Sequence, residues 1–297
     1  MPSPARQPKA PVVPSPPAIA SPYVGRKLPA APAPSAIRIA TWNINSVRLR
    51  LPIVKKLIKS AQPDVICLQE TKTPDEFFPA EALAKAGYPH QCFYGMKGYN
   101  GVAILSRHKL DKNGRDRWCE KDDSRHAKVE LPGGIELHNV YIPAGGDIPD
   151  PKVNVKFAHK LQFLRELGAY WSQQPEGRRI LVGDLNVAPR ENDVWSHKQL
   201  LDVVSHTPIE VELLTAFQNA HKWVDATREL FPEPQRIYTW WSYRNRDWRL
   251  SDRGRRLDHA WVTPSLAGNV AAVHVLKEAR DWPTPSDHVP VLIDLKP

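Results

Sequence analysis

Two mixed β-sheets flanked by helices, an α/β fold, are what residues 37–297 predict, and two observations carry that prediction. Short β-rich runs alternate with amphipathic stretches, and several of those runs follow one another with no helix between them, which a simple βαβ array does not allow. The strands are read in order as "IRIATWNI", "DVICLQE", "GVAILSR", "HAKVEL", "IELHNVYIP", "RRILVGDLNV", "RLDHAWVT", "NVAAVHVL" and "VPVLIDL", with "HQCFYG" also strand-like. Helices are predicted over 47–61, 75–86, 152–174 and 207–221, where apolar residues recur at three and four, as in "FAHKLQFLREL". No repeat of fixed period is present.

Residues 1–36 are set apart from this pattern. They hold eleven prolines, the basic residues Arg6, Lys9, Arg26 and Lys27, and no acid. Such a stretch buries too little apolar surface to offset its ordering entropy, so a disordered cationic tail is expected, either an inert extension or a DNA-tethering arm or targeting segment. It has no apolar segment of signal-peptide length, and its prolines would break a presequence helix. Nothing else in the chain is apolar for long enough to span a bilayer. A soluble monomer of the cytoplasm is expected, nucleoid-associated in a bacterium, with an organelle or nucleus left open.

The 297 residues carry 41 Lys and Arg against 32 Asp and Glu, a net charge of +9 that favours a polyanionic partner such as nucleic acid. Cys67, Cys92 and Cys119 form no C-x-x-C pair and are read as reduced core thiols. Without clustered Cys and His ligands, a structural zinc site is not expected.

The strand ends carry the chemistry. Alone, Asp184 and Asn186 in "GDLN" could be an ordinary turn, because Asp and Asn bond their own backbone. They are not alone. "IRIATWNI" delivers Asn43, "DVICLQE" delivers Glu70, "IELHNVY" delivers Tyr141, "RRL" delivers Asp258, and "SDH" before the last strand supplies Asp287 and His288. Independent turn preferences do not account for the whole set. Carboxylate and amide oxygens without thiolates suit Mg²⁺, or Mn²⁺ in its place, completed by phosphate oxygens of a substrate. Hydrolysis of a phosphate ester follows, with His288 oriented by a carboxylate such as Asp258.

With "TWNINSVR", "LQETK", "NVYIPAGG", "GDLNVAP", "RRLDHAWV" and "SDHVPV" in this order, the chain from 37 to 297 resembles the exonuclease III family of apurinic/apyrimidinic endonucleases. The resemblance implies a four-layered, deoxyribonuclease I-like α/β sandwich and Mg²⁺-dependent incision of double-stranded DNA 5′ to abasic sites, with 3′ to 5′ exonuclease and 3′-phosphatase activity at 3′ ends. It implies Glu70 as principal metal carboxylate with Asn43 beside it, and Asp287 as a second metal ligand. Tyr141 would contact the scissile phosphate, and Asn186 would partner Asp184 there. Asp184 would activate water or protonate the leaving group, and Asp258 with His288 would activate water or stabilise the transition state. Those proton assignments stay open at the level of sequence. Two positions depart from the family: Ala144 replaces a Gln or Asn near the target phosphate, and Ser242 replaces an aspartate in the tryptophan segment.

That segment, "YTWWSYRNRDWRLSDRGRR", interleaves aromatics with arginines and reads as a DNA-facing loop: Arg244, Arg246 and Arg249 for phosphates, Trp240 at the abasic sugar by resemblance, and one tryptophan of the Trp240–Trp241 pair as a core anchor. "NSVRLR" offers Arg48 and Arg50 to the DNA backbone, and Lys72 could steady the metal site. Two alternatives are a phosphoesterase of the same superfamily acting on another substrate and a DNA-binding protein without catalysis. The aromatic and arginine loop and the basic charge weigh against a small molecule or a lipid as that substrate, though not against RNA, and the intact ligand set weighs against a protein without catalysis.

Overall fold

The computed structural model describes residues 31, 32, 35–245 and 247–296; most of the predicted tail, and Arg246, lie outside the described residues. The strands are β1 (Ile37–Asn43), β2 (Val65–Gln69), β3 (His90–Tyr94), β4 (Val102–Ser106), β5 (Asp111–Gly114), β6 (His126–Leu131), β7 (Ile135–Tyr141), β8 (Arg179–Asp184), β9 (Val224–Asp225), β10 (Trp240–Trp241), β11 (Gly254–Arg255), β12 (Asp258–Val262), β13 (Val270–Val275) and β14 (Val291–Leu295). The helices are α1 (Leu51–Ala61), α2 (Ala80–Ala84), α3 (Val155–Ser172), α4 (His197–Leu200), α5 (Pro208–Ala220), α6 (Ala226–Leu230), α7 (Trp248–Ser251) and α8 (Pro264–Ala267). Among the described residues, no helix is long and apolar enough to cross a membrane.

Two six-stranded mixed sheets form, in the orders β13-β14-β1-β2-β4-β3 and β5-β6-β7-β8-β12-β9. Each has one parallel pair, β1 with β2 and β7 with β8, and each pair is joined through a helix, α1 and α3, as parallel neighbours require. Helices flank the two sheets, giving the four-layered sandwich that the sequence predicts. Between the sheets lies one apolar core that includes Ile39, Val65, Leu68, Val129, Leu137 and Val182. A second cluster joins Phe163, Leu167 and Trp171 of α3 and Phe217 of α5 to Leu181 and Trp261 of the second sheet. Fully burying a side chain of this size contributes about 1.5–3 kcal/mol.

Prolines explain where helices depart from expectation. The predicted helix over 47–61 begins only at Leu51, because Pro52 is tolerated only in a first turn and Asn45 and Ser46 before it take positive φ. Pro79 breaks the predicted helix over 75–86 into a single 3₁₀ turn (Asp75–Phe77) and α2. Asn154 caps α3 by accepting from the Lys156 amide, and Thr207 and Glu210 form a capping box on α5. Strand β5, "DKNG", lies at a sheet edge and carries no apolar alternation that could announce it. All three cysteines are free and buried, two of them in β2 and β3.

One buried polar chain should make the fold acid-sensitive. The Asp116 amide donates to His126 Nδ1 at 2.9 Å, so His126 carries its proton on Nε2 and donates to His138 Nδ1 at 2.9 Å. His138 then donates from Nε2 to Glu136 at 2.7 Å. Burial, and for His126 the neighbouring His138, hold both imidazoles below the ordinary histidine range. An unfolded chain therefore binds protons below about pH 6.5 that the folded chain refuses, and stability should fall there by about 1.4 kcal/mol per pH unit for each histidine. Urea unfolding at about pH 7.5 and about pH 5.5 checks this: the His126→Phe/His138→Phe variant should lose much of the slope that the wild type shows.

Candidate active site

The register of the sheets brings distant residues to one edge. Parallel pairing sets Asn43 beside Gln69, the residue before Glu70, and sets Tyr141 beside Asp184. Asp258 opens β12 instead of closing a strand, but β12 runs antiparallel to β8, so Asp258 still faces Asp184. His288 precedes β14, whose first residue, Val291, pairs with Thr41 near the end of β1. Both sheets thus feed one cleft. Several residues here take positive φ without being glycine, among them Asn45 (47°), Glu70 (51°), Lys72 (52°) and Asn186 (54°), a conformation held against its cost by the surrounding bonds.

Asp184 is the hub. Its Oδ2 accepts from Asn43 Nδ2 at 2.9 Å and Asn186 Nδ2 at 3.1 Å, its Oδ1 accepts the Asn186 amide at 3.0 Å, and His288 Nε2 lies 3.6 Å away. His288 Nδ1 contacts Asp258 Oδ2 at 2.8 Å. Burial raises the Asp184 carboxyl to about 7, with Asp258 adding to the shift and the His288 charge opposing it. Burial would lower His288, but Asp258 and Asp184 outweigh it and raise the imidazole to about 10. His288 is therefore a cation at neutral pH, held at Nδ1 by Asp258 and facing Asp184 from Nε2 across 3.6 Å.

Glu70 anchors the neighbouring corner. Oε1 accepts from Asn43 Nδ2 at 2.8 Å and from the Tyr141 hydroxyl at 2.9 Å, while Lys72 Nζ lies 2.8 Å from Oε2. Burial pushes this carboxyl up, and Lys72 and Asn43 more than offset it, leaving it below the usual range. Burial, reinforced by Glu70 and Asp184, holds Tyr141 well above 10, so it stays a neutral donor. Arg125 sits over the Tyr141 ring at 4.9 Å. Asp287 accepts from Asn45 Nδ2 at 3.1 Å and Trp240 Nε1 at 2.9 Å. Asn45 Oδ1 in turn accepts from Lys72 at 2.7 Å, so Asn45 and Lys72 link Asp287 to Glu70.

The Glu70 carboxylate, kept ionised with the Asn43 amide beside it, suits a hard divalent cation. Asp184, Asp258 and His288 also bring polar atoms within 4.8 Å of one another, and Asp258 Oδ1 is buried with no hydrogen-bond partner, but a protonated His288 has no lone pair to give a metal. This compact trio differs from the group of Asn43, Glu70 and Asp287 expected from sequence, whose carboxylates are spread along the hydrogen-bonded chain just described. Asn45 and Arg125 escaped the sequence reading. Asn45 repeats the two-residue spacing of Asp184 and Asn186, a usable signal, whereas nothing local marks Arg125.

Glu70, Asn186, Asp287 and His288 line a cleft of about 560 Å³, with Trp240, Trp195, Leu257, Arg244, Arg253 and Arg255 among its other walls. The arginine-rich segment is thus divided between surface and interior. Trp241 is the core anchor, fully buried, and Trp240 opens on the cleft. Arg256 is buried between Asp193 and Asp225 and so cannot face solvent with its neighbours. Arg244 and Arg249 are exposed, Arg249 against Asp281. Arg48 is exposed near the Phe77 ring, whereas Arg50 is buried, donating to the Asn45 and Pro285 carbonyls and to the Tyr243 hydroxyl, so it braces the loop after β1.

Residues 40–288 match the model of the endonuclease/exonuclease/phosphatase family. The chain is 29% identical to exodeoxyribonuclease III of Haemophilus influenzae over 88% of its own length and 100% of that protein. Among solved structures it is similar to an AP endonuclease from Archaeoglobus fulgidus, with a TM-score of 0.80, 33% identity, and 86% of this chain and 98% of that one covered. A 3′ phosphatase from Neisseria bound to a product DNA hairpin also gives a TM-score of 0.80, at 30% identity, covering 87% of this chain and 99% of that one.

Proposed function

The chain belongs to the endonuclease/exonuclease/phosphatase family, and from that premise we propose that it is a Mg²⁺-dependent DNA-repair phosphodiesterase incising 5′ to abasic sites and processing 3′ ends. The observation that carries this reading is the meeting of Asp184, Asn186, Asp258, His288, Tyr141, Asn43 and Glu70 where the strand ends of both sheets feed one cleft, beside a wall of aromatic and cationic side chains. The names of the relatives, an exodeoxyribonuclease, an AP endonuclease and a DNA-bound 3′ phosphatase, support DNA as the substrate.

In the proposed mechanism, the phosphate to be cleaved lies among His288, Asn186 and Tyr141. The His288 imidazolium, held by Asp258, donates from Nε2 to a phosphoryl oxygen and offsets the charge that grows there. Asn186 and the Tyr141 hydroxyl orient the same group. Asp184, aimed by Asn43 and Asn186, exchanges a proton with the attacking water or with the departing 3′ oxygen. Glu70 with Asn43 would hold the Mg²⁺, which Mn²⁺ could replace, with Asp287 as a further carboxylate. When bound, the ion draws charge from a phosphoryl oxygen and from the leaving group.

The deciding assay compares a duplex carrying one abasic analogue with undamaged duplex, RNA and inositol phosphates, in Mg²⁺ or EDTA. Incision 5′ to the lesion, abolished by EDTA, is expected; preference for RNA or inositol phosphates would overturn the reading. Grip should separate from chemistry in binding experiments with Ca²⁺ replacing Mg²⁺. Arg244→Ala should flatten the plot of log affinity against log salt by about 0.9 if it contacts one phosphate. Trp240→Ala should leave that slope alone and lose roughly 1–3 kcal/mol of preference for abasic over intact duplex, by analogy with base stacking.

A further inference from the structure

Behind the cleft wall stand two buried ions for which the chemistry above has no task. Lys160 of α3 and Glu210 of α5 form an ion pair in which both side chains are 0% exposed. Taking two charges out of water is costly even when they pair, and apolar replacements of similar volume are often as stable or more so. Glu210 also caps α5, but stability alone gives no reason for burying a lysine against it. Its bonds suggest one.

Lys160 Nζ donates to the Asn186 carbonyl at 2.7 Å and to the Ala144 carbonyl at 3.3 Å. These two residues belong to the segments that leave β8 and β7, and both line the cleft. Asn186 sits at a φ of 54°, left-handed backbone that asparagine adopts more readily than most residues, and its side chain bonds Asp184, so its backbone position sets where that bond is made. Directly after Ala144, Gly145 turns at φ 91°, and a Cβ there would lie 2.9 Å from Lys160 Cδ, so the lysine stem packs directly under the loop. Glu210 completes the arrangement. It accepts the Ser205 and Thr207 amides at 2.9 and 3.1 Å and the Thr207 hydroxyl at 2.7 Å, and Ser205 lies in the third cleft-lining segment. One ion pair thus gathers three loops from three parts of the chain.

We infer that Lys160 is a positioning residue for the phosphate-ester chemistry: anchored by Glu210, its ammonium fixes the backbone of Asn186 and Ala144 and thereby aims the Asp184–Asn186 pair. The inference rests on the proposed reading of the cleft as hydrolytic, so its test has one readout that needs no activity. Lys160→Met leaves Glu210 buried and unpaired and should melt well below the wild type. Lys160→Met/Glu210→Gln removes both charges while keeping acceptors for Ser205 and Thr207, and its melting temperature should return towards that of the wild type. Its turnover should not return: misplacing groups by about 1 Å costs about 10²-fold. Amide exchange over 142–147 and 185–188 should quicken by about tenfold or more in this double variant, with the rest of the domain unchanged. Glu210→Gln alone keeps the lysine and its bonds to the two carbonyls but strands its charge, so it should melt below the wild type and lose less turnover than Lys160→Met. Lys160→Gln in the Glu210→Gln background retains a donor for one carbonyl and should regain part of the lost turnover.

A double variant with both wild-type turnover and wild-type exchange in those segments would overturn the inference, as would a Lys160→Gln variant no better than Lys160→Met. If the wild type cleaves no phosphate ester, the functional reading fails, and the exchange comparison alone decides whether Lys160 positions the cleft.

Discussion

Asp184→Asn is expected to lower single-turnover cleavage by about 10²- to 10⁴-fold while duplex binding stays near that of the wild type. The amide keeps the size of the carboxylate and can still accept from the Asn186 amide, so the cleft should keep its shape. What it loses is the capacity to exchange a proton, along with the charge that faces His288 at 3.6 Å. His288→Asn should lose a comparable factor for another reason, because the cation proposed to face the phosphate is gone and Asp258 is left without its 2.8 Å partner. Since the two residues act as one unit, the double variant should be little worse than the poorer single one. Near-wild-type rates in either single variant, measured at saturating enzyme, would reject the proposed roles.

The largest expected loss of stability lies away from the chemistry. Asp193→Ala should cost about 3–5 kcal/mol, because it strands two buried guanidinium groups. Asp193 is fully buried, with Arg256 Nε 2.7 Å from Oδ1, Arg256 Nη2 2.9 Å from Oδ2 and Arg228 Nε 3.2 Å from Oδ1. Asp225, which also pairs with Arg256 at 2.8 Å, does not make up the charge. Burial would raise the Asp193 carboxyl, but the arginines hold it at about 2. Its folded value lies below its unfolded one, so its contribution is complete above about pH 4 and is lost as pH falls towards 2. That window lies below the one in which the buried histidines act. Denaturant unfolding at neutral pH measures the cost; a change under about 1 kcal/mol would mean that water or neighbours relax around the arginines.

Much of this was legible because strand ends are punctuated. Alternating apolar runs that finish in Asn43, Glu70, Tyr141 and Asp184 announce both a sheet and a site, since a polar residue closing a buried strand must either turn the chain or bind something. Asp258 was legible as a member of the site though not as the start of its strand, because a strand's direction within a sheet leaves no mark in its own residues. The division of the arginine-rich segment was not legible. Arg244 and Arg256 have similar local surroundings, and only the arrival of Asp193 from 63 residues away turns Arg256 into a core residue. Lys160 was hidden for the same reason. Within "FAHKLQFLREL" it reads as one more polar helix position, and its partner Glu210 reads as a capping residue, which it also is.

The pairing of β1 with β14 has a practical consequence. Ile37 and Leu295 are register partners at the end of the first sheet opposite Asn43, roughly 20 Å away along a strand of seven residues. Anything joined before Ile37 or after Leu295 is therefore attached at the rear of the domain. A fluorophore, affinity handle or fused module at either position should leave the cutting face open, and a surface-immobilised protein held from that end would present its cleft outward.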